Sequence, residues 1–148
     1  MEKRGFTLIE LLVVIAILGI LSSIILRNLN SSRLKAMDAR IKTELSSMRR
    51  AAAIYYDGIS NQSYGSNTNN CNTPNRMFTE DTVVANLISS IDSITGVSVE
   101  CRAGGNYFVV SASLVGATDP NSDNWCVDSA GASKAIANPI TNSDTACP

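Results

Sequence analysis

The sequence predicts an α+β chain. One long N-terminal helix, membrane-spanning in its first half and amphipathic in its second, packs on a small antiparallel β-sheet head. Three observations predict it. Phe6 to Leu26 is a long apolar run holding a single ionisable group, Glu10. From Leu34 to Tyr55 the apolar residues recur at helical spacing. Beyond Gly58, short runs rich in Val, Ile and Ala alternate with clusters of Gly, Asn, Ser and Asp, the pattern of strands and turns.

The first element is justified by length and flanking charge. The 21 residues from Phe6 to Leu26 make a helix roughly 32 Å long at about 1.5 Å per residue, enough for a hydrocarbon core of about 30 Å. Lys3 and Arg4 precede it, so the positive-inside rule leaves the N-terminus cytoplasmic and sends the rest outward. A secretory signal would end in small residues before a cleavage site. Here Leu26-Arg27-Asn28-Leu29 follows and the helical pattern continues. Leu34, Met37, Ile41, Leu45, Met48, Ala52 and Tyr55 then fall on one stripe, which is expected to pack against the protein's own head. Neither Pro nor Gly interrupts Ile20 to Asp57, and Gly58 is a natural stop. Phe6 to Asp57 therefore reads as one helix, on the order of 78 Å long at full regularity. The organisation expected is a leader (1–5), a transmembrane segment (6–26), a stem (27–57) and an extracytoplasmic head (58–148).

Net charge is −1 and the sequence pI is about 5.3, but the sum hides an asymmetry. Arg27 to Arg50 holds Arg27, Arg33, Lys35, Arg40, Lys42, Arg49 and Arg50 against Asp38 and Glu44. From Ala51 onward, Arg76, Arg102 and Lys134 face Asp57, Glu80, Asp81, Asp92, Glu100, Asp119, Asp123, Asp128 and Asp144. A basic stem joins an acidic head. Histidine is absent, which removes Ser-His-Asp and Cys-His catalysis and the commonest zinc ligand. No other nucleophile stands beside a recognisable base, and the chain does not read as an enzyme.

Glu10 is the anomaly. A charge deep in a bilayer costs on the order of 2.5–3.5 kcal/mol on insertion scales, and such residues are functional candidates by default. Lys3-Arg4-Gly5-Phe6-Thr7-Leu8-Ile9-Glu10-Leu11-Leu12-Val13-Val14 resembles the type III signal of type IV pilins and pseudopilins. The resemblance covers roughly the first 30 residues as a motif, and the rest only as architecture, the pilin fold. It implies that a prepilin peptidase/N-methyltransferase cuts between Gly5 and Phe6 and methylates the new Phe6 amine. Glu10 would then pair with the Phe6 amine of a neighbouring subunit in a filament of like subunits. It further implies an inner-membrane assembly platform, lipid contact before assembly, and an extracytoplasmic filament or cell-surface location afterwards. The pairing is physically coherent, because an unpaired charge in lipid is the penalised state and a pair selects register. Many type IV pilins have a proline where this chain has Arg27. Here Gly19, Ser22 and Ser23 are present without a helix proline, so local melting of the helix is not implied.

In the head, residues 58–75 (GISNQSYGSNTNNCNTPN) read as a long surface loop, with Cys71 tying its end. Thr79-Glu80-Asp81 reads as a helix N-cap with acids in the first turn. Val83, Val84, Leu87, Ile88 and Ile91 mark the apolar face of the helix that follows. Strands are expected at 97–101, 106–114, 124–128 and 133–137, with Arg102-Ala103-Gly104-Gly105 as the first hairpin turn. Cys71, Cys101, Cys126 and Cys147 suit two disulfides in an oxidising compartment and contain no CxxC pair for zinc. Three pairings are open. We favour Cys126–Cys147, pinning the C-terminal segment to a strand, and Cys71–Cys101, holding the long loop.

Two further readings complete the set. Asp119-Pro-Asn121-Ser-Asp123 has spacing similar to a calcium loop, but lacks the turn glycine and the closing glutamate, and reads first as a solvated turn. Arg33, Lys35, Arg40, Lys42, Arg49 and Arg50 could contact DNA; the competing expectation is that the basic stem faces acidic head surface or anionic headgroups. Between a surface pilus and a type II secretion or competence pseudopilus the sequence leaves the choice open. Two disulfides and a long polar loop favour the first, and the missing helix proline the second.

Overall fold

The computed structural model describes residues 6–58, 62–74 and 76–148. They divide into two compact units, 1–34 and 35–148, and helix α1 (Leu8–Gly58) runs through both. A short π-helical segment (Arg76–Glu80) leads into α2 (Thr82–Asp92). Four strands follow: β1 (Val99–Ala103), β2 (Phe108–Ser113), β3 (Asn124–Asp128) and β4 (Ser133–Ile136). They form one antiparallel sheet in the order β1-β2-β3-β4. The α+β class and the long N-terminal helix agree with the expectation.

In the first unit the helix is unbroken through Gly19, Ser22 and Ser23. The two serine hydroxyls donate back to Leu18 O and Ile20 O, at 2.8 Å each, so neither is left unsatisfied in an apolar segment. Its apolar side chains are exposed, and one stretch of α1 is long and apolar enough to cross a membrane.

The second unit is built around the stem stripe. Ile41, Leu45, Met48, Ala52 and Tyr55 are buried, with Met37 half-buried beside them. They share one core with Val84, Ile88 and Ile91 of α2 and with the inner sheet face, Cys101, Ala103, Phe108, Val110, Ala112 and Val127. Alternation along the strands sends Val109 and Cys126 to the opposite face, where they meet Ile136 and Ile140 in a second, smaller cluster. Residues after β4 cover that face. Ile140 N–H donates to Ser111 Oγ at 3.2 Å, and Cys147 N–H to Asp128 Oδ2 at 2.9 Å.

Local expectations need correction in four places. The N-cap of α2 is Asp81, not Thr79: the Asp81 carboxylate accepts the N–H groups of Val83 and Val84 at 3.0 and 2.9 Å. Val83 is 55% exposed, because the cap turns it away from the face formed by Val84, Ile88 and Ile91. β1 starts and ends two residues later than expected, so Arg102 and Ala103 are strand residues, paired with Val109 and Phe108. The turn therefore runs from Gly104 to Tyr107 and centres on Gly105 and Asn106; a side chain at Gly104 would collide with the Tyr107 ring. Finally, β2 and β4 are shorter than expected.

The 62–74 segment is held along the outer edge of β1. Thr68 and Ala103 exchange backbone hydrogen bonds of 3.0 and 3.1 Å, and Tyr64 N–H donates to Gly105 O at 3.0 Å.

Candidate functional site

The first turn of α1 is Thr7-Leu8-Ile9-Glu10, the spacing of a reciprocal cap. The Thr7 N–H and hydroxyl both donate to Glu10 Oε2 at 2.9 Å, and Glu10 N–H reaches Thr7 Oγ1 at 3.3 Å. Helix N-termini present N–H groups with no intrahelical partner, and a carboxylate there also meets the positive end of the helix dipole. Glu10 Oε1 takes no hydrogen bond among the described residues. Around this group the surface is bare hydrocarbon: Phe6 is 90% exposed, and Leu8, Ile9, Leu11 and Leu12 are exposed with it. An anion in such surroundings, with one oxygen unengaged, can take one more donor at the same depth. Gly5, Lys3 and Arg4 lie outside the described residues, and Phe6 is the first described position.

Among the described residues no basic stem side chain forms an ion pair with an acid of the head. Among the described residues the one ion pair is Arg40–Glu44, at 2.7 Å on the same helix, and Ser90 of α2 joins both side chains. Lys42 lies over the Trp125 ring, 4.8 Å from its centroid, a cation–π contact. Arg49 donates to Gly131 O in the β3–β4 turn, and Arg50 to Ser47 Oγ at 2.9 Å. The buried stem carboxylate, Asp38, accepts Val115 N–H at 2.8 Å and Gly116 N–H at 3.1 Å, fastening the β2–β3 loop to α1.

In the head, Cys71 is bonded to Cys101 and Cys126 to Cys147, with Cα separations of 4.9 and 5.8 Å. Arg102, 5% exposed, bridges the two tied segments: it donates to Asn69 O in one and to Thr141 O, at 2.8 Å, in the other. Asp119 Oδ1 accepts Asn121 N–H at 2.9 Å in a tight turn. Among the described residues Asp119, Asn121 and Asp123 do not form part of a cluster of three or more His, Cys, Asp or Glu side chains suited to a metal ion. The Tyr64 ring packs between Tyr56, tilted at a centroid distance of 4.6 Å, and Phe108, edge to face at 5.0 Å. Burial pushes its hydroxyl above the ordinary tyrosine range, and Tyr56 and Asp57 push the same way.

Thr7 was legible as part of Thr-x-x-Glu. Asp38, Arg102 and Tyr64 were not, since their partners lie far along the chain.

A family model described as the prokaryotic N-terminal methylation motif matches residues 1–26. The chain is 42% identical over 66 residues to the type IV wide pilus major component PilA4 of Thermus thermophilus, covering 45% of this chain and 49% of that protein. It is 40% identical over 54 residues to type II secretion system core protein G of Klebsiella pneumoniae, covering 36% of this chain and 39% of that one. The Escherichia coli protein of the same name is 35% identical over 54 residues, covering 36% and 37%. The chain thus spans about half, or less, of the length of the curated relatives it matches. No solved structure matches it. The chain carries the prepilin-type methylation motif and is similar to both a type IV pilin and a type II secretion pseudopilin.

Proposed function

We propose that this chain is a structural subunit of a type IV pilus-like filament, cut between Gly5 and Phe6 and polymerised through its N-terminal helix. The observation that carries the reading is Glu10, the one ionisable group of the apolar segment, standing inside the matched methylation motif. Cleavage removes Lys3 and Arg4 and creates a positive amine on Phe6. Glu10 of one subunit then pairs with that amine on a neighbour, each charge offsetting the desolvation of the other. Before assembly residues 6–26 lie in the cytoplasmic membrane with the N-terminus inside, and residues 58–148 outside. Stem residues 27–57 link the two. A prepilin peptidase/N-methyltransferase and an inner-membrane assembly platform are the partners this requires.

A second reading is a pseudopilin of a type II secretion or DNA-uptake system. The similarity to core protein G and the uninterrupted α1 favour it. Intact mass and N-terminal sequencing of protein sheared from the cell surface test both. A chain beginning at methylated Phe6 in that fraction is the expected result. The same mature chain confined to membranes would favour the pseudopilin reading, and an uncut chain starting at Met1 would refute processing altogether.

A further inference from the structure

Among the described residues no ion pair joins a stem cation to a carboxylate of the head. Asp38, Asp81, Asp119, Asp128 and Asp144 are each held by backbone N–H groups. Glu80, Asp92, Glu100 and Asp123 form no ion pair among the described residues; the first two are exposed and the others half-buried.

The stem has a place for such a carboxylate. Arg49 and Arg50 line a cavity of about 230 Å³ with Tyr64, Phe108, Asp128 and Gly131. Tyr64 is 7% exposed, and its hydroxyl has no hydrogen-bond partner among the described residues and so can donate to an incoming group. Asp128, whose oxygens also accept Ala132 and Cys147 N–H groups at 2.8 and 2.9 Å, offsets one of the two arginine charges and leaves the cavity with an excess positive charge. Asp57, beside Tyr64 on the same chain, pairs with neither arginine. Each arginine has one contact of its own, to Gly131 O and to Ser47 Oγ, and keeps further N–H donors. The hollow is smaller than the roughly 300–1,000 Å³ of drug-sized ligand sites, and its donors suit the planar fork of a carboxylate.

We propose that this cavity receives a carboxylate side chain from the head of a second copy, so that a neighbour's head neutralises each stem. The inference rests on the filament reading, and the carboxylates that can enter, as acceptors, are those of Glu80, Asp92, Glu100 and Asp123. It is tested on the full-length chain in its own host. Arg50 is the position to change, because Arg49 also holds the β3–β4 turn. Arg50→Glu is expected to lower sheared filament yield by about tenfold or more, while membrane level and disulfide formation stay normal. Reversing one of the four acids to lysine in that background restores the yield. A conservative Arg50→Lys chain, assembled from light and heavy isotope pools and treated with a zero-length carbodiimide, gives a cross-link from position 50 to that same acid between light and heavy copies. This second arm decides if Arg50→Glu fails to accumulate.

Wild-type yield from Arg50→Glu, or rescue by none of the four reversals together with no inter-copy cross-link, overturns the proposal while leaving the filament reading intact. Filaments of normal yield that lose salt-sensitive DNA retention would make nucleic acid the occupant and overturn it too. Absence of filaments from the wild type overturns the filament reading, and this inference with it.

Discussion

In the proposed filament Glu10 would hold two roles that one substitution can separate. Its Oε2 caps the helix through Thr7, while its charge is what a neighbour's amine would read. Glu10→Gln keeps a carbonyl oxygen for Thr7 and removes the charge. We expect Glu10→Gln and Glu10→Ala to insert and accumulate normally, and both to lower sheared filament yield by about tenfold or more, the ratio that about 1.4 kcal/mol of pairing represents. Normal yield from Glu10→Gln with failure of Glu10→Ala would reassign the residue to capping alone. At this scale legibility followed chemistry. A lone acid in an apolar run announces itself, as does a threonine three residues before it. Arg102 gave no such signal, and its neighbourhood of Gly-Gly suggested a turn. Its partners, Asn69 and Thr141, lie 33 and 39 residues away, and a buried guanidinium is recognisable only once those carbonyls have converged.

Among the elements, the stem helix and β3 were legible because their patterns are long or cleanly bounded: the stripe from Ile41 to Tyr55 is buried as its spacing required. β1 runs on to Ala103 because Arg102 and Ala103 pair with Val109 and Phe108, and Thr68, from the loop expected to be tied by Cys71, bridges Ala103 on the other side. Of the two surfaces the basic stem was expected to face, acidic head and anionic headgroups, the head supplies no ion pair among the described residues, for a related reason. Lys42 meets an indole ring and Arg49 a carbonyl, partners that charge counting does not register. Asp38 is the clearest contact between elements that no pattern foretold. Asp38→Ala strands the Val115 and Gly116 N–H groups, and should cost about 1–3 kcal/mol. The check is denaturant unfolding of the full chain in detergent, with the midpoint lowered and the slope unchanged. An unmoved midpoint would mean that water replaces the carboxylate without penalty.

For the molecule as a whole, the head has apolar clusters on both faces of one sheet, and each disulfide secures a different border. Cys71–Cys101 fastens the long loop beside β1, and Cys126–Cys147 holds the C-terminal segment over the outer cluster. Spacing alone left three pairings open; the sheet, by setting Cys101 and Cys126 on opposite faces, separates the partners. Replacing Cys126 and Cys147 together by serine should cost about 3 kcal/mol on the chain-entropy model and uncover Val109, Ile136 and Ile140. A lower unfolding midpoint and new binding of a hydrophobic dye are the expected readings, and an unchanged midpoint would show that the other contacts of the segment suffice. The contact between Lys42 and Trp125 has a practical corollary. Trp125 is the one tryptophan of the sequence, and it lies where the stem crosses β3, beneath an ammonium group. The chain therefore carries its own optical gauge: ultraviolet emission from a single indole, unlabelled, shifts to the red whenever the stem lifts from the sheet.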